Sequence, residues 1–152
     1  PYMGKDSVEP FLKYKDKHTI LLALTSNSGA NDFQFNQCSG KKLYQQVIES
    51  SIKWKNSQQL MYVVGANHTD LISSIGRIVP NNFLLIPGIG AQGGNLKQIS
   101  QAAMNDKCGI IVNASRSIIY SSNGKDFEKT ASISAKKIKD EMENLLKEKK
   151  II

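Results

Sequence analysis

Four short apolar runs recur along the chain, and each leads through a polar or glycine-rich turn into a segment of helical periodicity. The apolar runs occupy residues 19–24, 60–64, 83–86 and 109–112. Apolar residues then recur every three or four positions in the segments at residues 43–55, 70–78, 95–103 and 127–145. Strands that alternate with helices predict an α/β fold with a parallel sheet. The near-continuous apolar runs predict strands that are buried on both faces.

This repeat leaves the architecture open, because four strand–helix units suit either half of an eight-unit barrel or a small open sheet. At 152 residues the chain is long enough for a domain with a core of its own. Residues 8–14 are expected to form a short helix before the first strand. The sequence opens on proline rather than methionine, so we expect residues 1–152 to be a single partial domain of a longer protein.

The formal net charge is +7, and nearly all of the positive charge comes from lysine. The densest lysine run, residues 136–150, is interleaved with Asp140, Glu141, Glu143 and Glu148. That mixture favours a solvated helix face over a nucleic-acid-binding surface. No stretch reaches the roughly 20 apolar residues that a membrane-spanning helix needs, and no hydrophobic leader is visible. We therefore expect a cytoplasmic protein with no nucleic-acid or membrane partner.

Cysteine and histidine spacing gives no sign of a metal site. Cys38 and Cys108 have no paired-cysteine spacing and are expected to be free thiols. Neither His18 nor His68 has neighbouring Cys, His or carboxylate residues at metal-ligand spacing. His68 is expected to cap the helix that follows it. The sequence thus predicts no metal and no cofactor.

The densest glycine segment lies directly after the third apolar run, at the start of a helical segment. It contains Gly88, Gly90, Gly93 and Gly94. Backbone N–H groups that no side chain covers, followed by a helix N-terminus, are typical of an anion site, and Gln92 can add a side-chain amide. The alternative is a glycine-rich turn without a ligand.

The same glycines match the dinucleotide-binding pattern Gly-x-Gly-x-x-Gly, which follows a strand and precedes a helix. That pattern expects an acidic residue about 20 positions further on, at the end of the next strand. The next apolar run ends instead in Asn-Ala-Ser-Arg, residues 113–116. Arg116 leaves open a variant that binds a 2'-phosphate.

Arg116 and Ser26 also follow predicted strands, at the edge where parallel α/β folds bind ligands. A guanidinium beside the glycine segment suits bidentate phosphate binding, and a surface ion pair with a carboxylate is the alternative. If the last two apolar runs are the last two strands of a barrel, four residues form a phosphate site, namely Gln92, Gly93, Gly94 and Arg116. Ser26 can bind the polar edge of a planar ring or simply cap a turn.

Five segments, in their order along the chain, resemble the longer bacterial-type orotidine 5'-phosphate decarboxylases. They are PYMGKDSVEPF at residues 1–11, LTSN at 24–27, YVVGA at 62–66, PGIGAQGG at 87–94 and VNASRSIIY at 112–120. The resemblance implies a (β/α)8 TIM barrel, of which this chain supplies the C-terminal half, from the end of strand four through helix eight. It also implies a small-molecule nucleotide substrate and a homodimer with active sites at the subunit interface.

The resemblance assigns roles to individual substrate-binding residues. Ser26 is similar to the residue that contacts the pyrimidine ring. Pro87 and Ile89 are similar to residues that line the site near the reacting carbon. The residues similar to the family's phosphate-binding residues are Gln92, which lies on a loop that closes over substrate, Gly93 and Arg116.

The family's catalytic motif does not occur in these 152 residues. The resemblance implies Asp-x-Lys-x-x-Asp with a second lysine just before it, whereas the nearest match, Lys-Ile-Lys-Asp at residues 137–140, lies in the wrong context. In the family, the lysine donates a proton to the ring carbanion left as carbon dioxide departs. We therefore expect this chain to contain no catalytic residue and to be inactive alone.

The function that the resemblance implies is conversion of orotidine monophosphate to uridine monophosphate in de novo pyrimidine synthesis. The chain is expected to supply the phosphate- and pyrimidine-binding half of that enzyme. Two alternatives remain open: another phosphate-binding barrel enzyme of the same superfamily, and a non-catalytic half-barrel that binds phosphate.

Overall fold

A parallel sheet forms the centre of the protein in a computed structural model, which describes residues 1–90 and 94–152. Within those residues the strands are β1 (Thr19–Leu24), β2 (Gln37–Cys38), β3 (Lys41–Lys42), β4 (Leu60–Val64), β5 (Leu84–Pro87) and β6 (Ile110–Asn113). The four longer strands pair in parallel in the order β1-β4-β5-β6, and β2 pairs with β3 as a separate antiparallel hairpin. The predicted α/β class and all four predicted strands are confirmed, with β5 and β6 shifted by one residue.

Helices follow the long strands, as the alternating pattern predicts. After α1 (Lys5–Val8), which precedes the first strand, they are α2 (Ala30–Phe33), α3 (Leu43–Ser51), α4 (Thr69–Ile78), α5 (Leu96–Ala103), α6 (Arg116–Ile119) and α7 (Phe127–Glu148). The α5 helix begins where its sequence predicts, because the side chain of Asn95 accepts a hydrogen bond from the backbone N–H of Gln98. None of the helices in the described residues is long and apolar enough to cross a membrane.

Two predicted helices differ in extent from the observed ones. The helix predicted over residues 43–55 ends at Ser51, and Asn56 then adopts a left-handed φ of 61° and donates a hydrogen bond to the carbonyl of Leu12. The single helix predicted over residues 8–14 is wrong. It is interrupted at Pro10, which has no backbone N–H to continue a helix, and only a short 3-10 turn follows at Phe11–Lys13.

The core lies between one face of the sheet and the helices. From the sheet, Tyr62, Val64, Leu84 and Ile86 are buried in it. The buried side chains that α3, α4 and α5 contribute include Tyr44, Ile48, Ile72, Ile75 and Ile99. Each helix therefore buries one stripe of side chains against alternate residues of the strands.

The opposite face of the sheet is open and apolar. In the strand register Ile20 lies opposite Met61, Leu22 opposite Val63, and Leu85 opposite both Val63 and Ile111. The exposed fractions of the outermost of these side chains are 48% for Ile20, 46% for Leu22 and 39% for Ile111. The prediction that the strands are buried on both faces is therefore wrong for this chain, because the helices cover only one face.

Backbone hydrogen bonds continue past the carboxyl ends of the strands and join their loops. The N–H of Gly65 donates to the carbonyl of Leu24 (2.9 Å), and the N–H of Ala66 donates to that of Pro87 (3.1 Å). The N–H of Gly88 donates to the carbonyl of Asn113 (3.3 Å). The loops after all four strands are thus held side by side at one edge of the sheet.

Candidate functional site

A cavity of about 170 Å³ opens at this edge of the sheet. Its lining residues come from the loops after β1, β5 and β6, and they are Ser26, Pro87, Gly88, Ile89, Asn113, Ser115 and Arg116. Four predicted site residues, which are Ser26, Pro87, Ile89 and Arg116, therefore meet at one cavity although up to 90 positions separate them in the sequence. Parallel strands bring the residues that follow them to the same edge, which is why the pattern could predict this meeting.

The glycine segment after β5 turns sharply beside the cavity. Gly88 and Gly90 have φ values of 101° and 78°, in a region of backbone conformation that residues other than glycine rarely adopt. Gly94 returns next to Ile89, and its carbonyl accepts a hydrogen bond from the N–H of Gly90 (3.2 Å). A Cβ on Gly94 would lie 2.6 Å from the Cβ of Ala66 and 3.0 Å from the carbonyl oxygen of Gly88, so this position admits only glycine.

Gln92 and Gly93, which the sequence predicts to bind phosphate, lie outside the described residues. Gly94 is described, but it contributes a tightly packed backbone turn and is not among the residues that line the cavity.

Arg116 is the first residue of α6, and its side chain is exposed. None of the ion pairs found in residues 1–90 and 94–152 involves Arg116. The alternative of a structural surface ion pair therefore has no support in the described part of the chain. A guanidinium with this freedom can present two parallel N–H donors to a phosphate.

Ser26 lies half-buried after β1, and its backbone is tightly enclosed. The side-chain amide of Asn67 donates to the carbonyl oxygen of Ser26 (3.1 Å). The backbone of Gly65 packs closely on the same residue, and a Cβ added to Gly65 would lie only 2.7 Å from the Ser26 nitrogen. The end of β4 thus determines where the backbone of Ser26 lies.

His68 occupies the N-cap position of α4, but its side chain makes no capping hydrogen bond, so the predicted capping role is wrong. Its Nε2 atom lies 3.0 Å from the carbonyl oxygen of Thr25, and its ring packs 5.5 Å from the ring of Phe35. Because a carbonyl oxygen only accepts hydrogen bonds, the ring must carry a proton on Nε2. His68 therefore joins the loop after β4 to the loop after β1.

Gly88 belongs to the glycine segment that the sequence predicts to bind an anion, whereas two other lining residues, Asn113 and Ser115, were not predicted. The hydroxyl of Ser115 donates to the side-chain oxygen of Asn113 (3.3 Å), which leaves the amide nitrogen of Asn113 as a possible donor to a ligand. Both residues lie shortly after an apolar run, as Ser26 does, so the signal that indicated Ser26 also applies to them.

The chemistry of the lining suits an anion with a polar ring. The described lining combines a guanidinium, two hydroxyls, an amide and two apolar walls, and no described lining residue carries a carboxylate. The ribose-binding acid of the dinucleotide pattern thus has no counterpart in this cavity. Over the described residues, no group of three or more His, Cys, Asp and Glu side chains could hold a metal ion.

The family model described as "Orotidine 5'-phosphate decarboxylase / HUMPS family" matches residues 1–129 of the chain. The chain belongs to this family. A relative from Flavobacterium johnsoniae, named orotidine 5'-phosphate decarboxylase, is 56% identical over 98% of this chain and 55% of the relative. One of the same name from Christiangramia forsetii is 51% identical over 93% of this chain and 52% of the relative. The chain therefore spans about half the length of the curated relatives it matches.

Solved structures of the same family are similar to the observed fold. UMP synthase of Leishmania donovani matches with a TM-score of 0.75 and 35% identity, over 91% of this chain and 31% of that one. OMP decarboxylase of the same organism matches with a TM-score of 0.71 and 32% identity, over 87% and 50%. The arrangement of strands and helices in this chain is therefore that of part of a decarboxylase of this family.

Proposed function

We propose that this chain is the phosphate- and pyrimidine-binding half of an orotidine 5'-phosphate decarboxylase, which converts orotidine monophosphate to uridine monophosphate and carbon dioxide. The observation that supports this most directly is the meeting of Ser26, Pro87, Ile89 and Arg116 at one cavity. The resemblance of the sequence assigns a substrate-binding role to each of these residues, and all four lie within the range that the family model matches.

We further propose that the complete protein is a (β/α)8 barrel, with this chain running from the end of strand four through helix eight. Two observations support the half-barrel. The relatives are about twice as long as the chain. One face of the sheet is apolar yet open, as the inner face of a barrel is before the remaining strands close it.

Within that barrel the described residues act by binding and orienting the substrate. Arg116 neutralises the phosphate, and Ser26 hydrogen-bonds the polar edge of the pyrimidine. Pro87 and Ile89 exclude water from the part of the site where the carboxylate leaves. Energy from binding the remote phosphate is used to hold the ring for reaction, so these residues lower the barrier without taking part in bond breaking.

The proton transfer belongs to residues that this sequence does not contain. In the family that step needs the lysine of an Asp-x-Lys-x-x-Asp motif, and no such motif occurs in residues 1–152. We propose that the chain alone binds substrate but does not decarboxylate it. A homodimer with active sites at the subunit interface, and a cytoplasmic location, belong to the same proposal and rest on the family resemblance.

Replacing Arg116 with glutamine tests the phosphate role. Hydrogen bonds to charged groups contribute about 1.5–3 kcal/mol, so Arg116→Gln should weaken binding of uridine monophosphate and of ribose 5-phosphate by about 10- to 100-fold. Calorimetric titration of the purified chain measures both affinities.

Arg77→Gln is the matched control, because Arg77 is also exposed and lies on α4, where its guanidinium contacts only Ser73 among the partners found in the described chain. That variant should bind both ligands like the wild type. Equal loss in the two variants, or wild-type affinity in Arg116→Gln, would show that this cavity is not the phosphate site. Tighter binding of plain sugar phosphates than of uridine monophosphate would favour another enzyme of the superfamily.

A further inference from the structure

The side chain of Gln34 forms two hydrogen bonds to the residue that precedes Ser26. The backbone N–H of Thr25 donates to Oε1 of Gln34 (2.8 Å), and Nε2 of Gln34 donates to Oγ1 of Thr25 (2.8 Å). Oγ1 of Thr25 in turn donates to the side-chain oxygen of Asn27 (2.6 Å). Thr25 and Asn27, the two neighbours of Ser26, are therefore linked by one series of hydrogen bonds that begins at Gln34.

A second set of contacts reaches the same two residues from the loop after β4. Asn67 donates to the carbonyl of Ser26 (3.1 Å), and His68 donates to the carbonyl of Thr25 (3.0 Å). These partners are 41 and 43 positions away in the sequence. Every backbone polar group of Thr25, and the carbonyl of Ser26, thus has a partner outside strand β1.

Gln34 is itself firmly attached to the core. Its backbone N–H donates to the carbonyl of Ala30, and its carbonyl accepts from the N–H of Tyr44, a buried residue at the start of α3. The next residue, Phe35, packs edge-to-face on Tyr44 with 5.8 Å between ring centroids. The amide of Gln34 therefore connects a rigid part of the core to the end of β1.

We propose that Gln34 and Asn67 are positioning residues that hold Ser26 for recognition of the base, and that they thereby make the site selective for a pyrimidine nucleotide over a sugar phosphate. This inference rests on the function proposed above. The physical reason for selectivity is that the two ends of the ligand are held by different loops. The proposed phosphate-binding residue, Arg116, follows β6, whereas Ser26 follows β1. A hydrogen bond loses strength steeply when its geometry is distorted, so a shift of Ser26 weakens contacts to the ring and leaves the phosphate contacts intact.

The test compares two ligands in each variant by calorimetric titration of the purified chain. Gln34→Leu should weaken binding of uridine monophosphate by about tenfold, the effect of losing one good hydrogen bond. Its affinity for ribose 5-phosphate should stay within about twofold of the wild type, because that ligand has no ring for Ser26 to contact. Retained ribose 5-phosphate binding also shows that the variant has folded.

Asn67→Asp is an independent second variant on an exposed residue, and it places a carboxylate oxygen where the amide donated to Ser26. It should show the same selective loss. Gln34→Glu keeps an acceptor for the N–H of Thr25, so it should recover part of the affinity for uridine monophosphate. Gln37→Leu is the matched control, since it makes the same change on an exposed residue of the hairpin, and it should bind both ligands normally.

The outcomes separate the two proposals. If the wild type binds both ligands but Gln34→Leu and Asn67→Asp weaken both equally, or neither, the positioning role is wrong while the proposed function stands. If the wild type binds neither ligand, the proposed function is wrong and the positioning role falls with it.

Discussion

The hydrogen bond between Ser51 and Tyr62 joins α3 to the central strand β4 inside the core. The two hydroxyl oxygens lie 2.9 Å apart, and Ser51 Oγ also donates to the carbonyl of Ile48 (2.9 Å). Because a serine hydroxyl has one proton, Tyr62 must be the donor to Ser51. Burial raises the pKa of Tyr62, and the bond to Ser51 opposes that shift in part.

This geometry predicts unequal costs for removing the two partners. Tyr62→Phe removes the donor and leaves Ser51 bonded to Ile48, which should cost about 1 kcal/mol of unfolding free energy. Ser51→Ala leaves a buried tyrosine hydroxyl without a partner, which should cost more, about 1–3 kcal/mol. Urea unfolding of both variants measures the order. Tyr120→Phe, on an exposed tyrosine, should change nothing, and a larger loss in Tyr62→Phe than in Ser51→Ala would contradict the assignment of the donor.

Single residues of the site could be predicted where chain topology alone determines their position. Ser26 and Arg116 follow strands, and parallel strands end at one edge, so their meeting needed no knowledge of packing. The role of His68 could not be predicted in this way, because it depends on a contact with Thr25, 43 positions away. Gln34 likewise lies in a segment with no periodic pattern, and only its side-chain amide reveals its connection to the site.

The residue before the long final helix α7 is Asp126, which accepts hydrogen bonds from two hydroxyl groups. The carboxylate of Asp126 accepts from the hydroxyl of Ser122 (2.6 Å). The hydroxyl of Thr130 lies 3.0 Å from the carbonyl oxygen of Asp126 and 3.2 Å from its carboxylate, so its one proton is shared between the two acceptors. The bond from Ser122, then Asp126's own backbone and Thr130, lower the pKa of this carboxyl below its usual value of 3.8.

A lowered pKa makes the start of α7 sensitive to acid. The charged carboxylate is favoured in the folded state, so its contribution to stability is complete above the unfolded pKa of about 4 and is lost as the pH falls through the lower folded pKa. Asp126→Asn should therefore be less stable than the wild type at pH 7, and the difference should shrink at pH 2–3. Urea midpoints at the two pH values measure this.

Glu143, another carboxylate of α7, limits how much of the acid response a single substitution at Asp126 can remove. Hydrogen bonds and charge from Lys147 and Lys139 also lower the pKa of Glu143, so the Asp126→Asn variant should retain part of the acid response. Asp106→Asn, on an exposed aspartate outside the helices, serves as the control and should follow the wild type at both pH values. An undiminished acid response in Asp126→Asn would contradict the role of this carboxylate.

The positions of strands were easier to predict than the ends of helices or the burial of faces. Runs of aliphatic residues bounded by turns specify a strand locally, and all four predicted runs are strands. The chain leaves α3 through tighter turns, in which the N–H of Lys53 donates to the carbonyl of Ser50 and that of Trp54 to Ser51, and no local pattern marks this change. Burial of the second sheet face depends on what packs against it, which the apolar pattern of a strand does not reveal, and Ile20, Leu22 and Ile111 are accordingly exposed.

The open face of the sheet is the surface that the remaining strands of the proposed barrel would cover. Ile20, Leu22 and Ile111 expose apolar surface on three positions of one sheet face, an arrangement that marks an interaction surface. The outer strands β1 and β6 also each lack a neighbour on one side in the described sheet, and such edges pair readily with further strands. In the proposed barrel, the part of the Flavobacterium johnsoniae relative that this chain does not match would cover the open face and pair with the two outer strands.

Mixing the chain with that unmatched part of the relative should therefore assemble a complete site. We expect no decarboxylation of orotidine monophosphate by the chain alone. After mixing we expect turnover, measured by absorbance, and a one-to-one complex, measured by sedimentation. Leu22→Lys should prevent both turnover and complex formation, because the closed barrel would bury an unpaired charge. Ile152→Lys, on an exposed terminal residue, is the control and should behave like the wild type. Turnover by the chain alone would show that the catalytic groups are already present in residues 1–152, and assembly of Leu22→Lys would show that the open face is not the surface that closes.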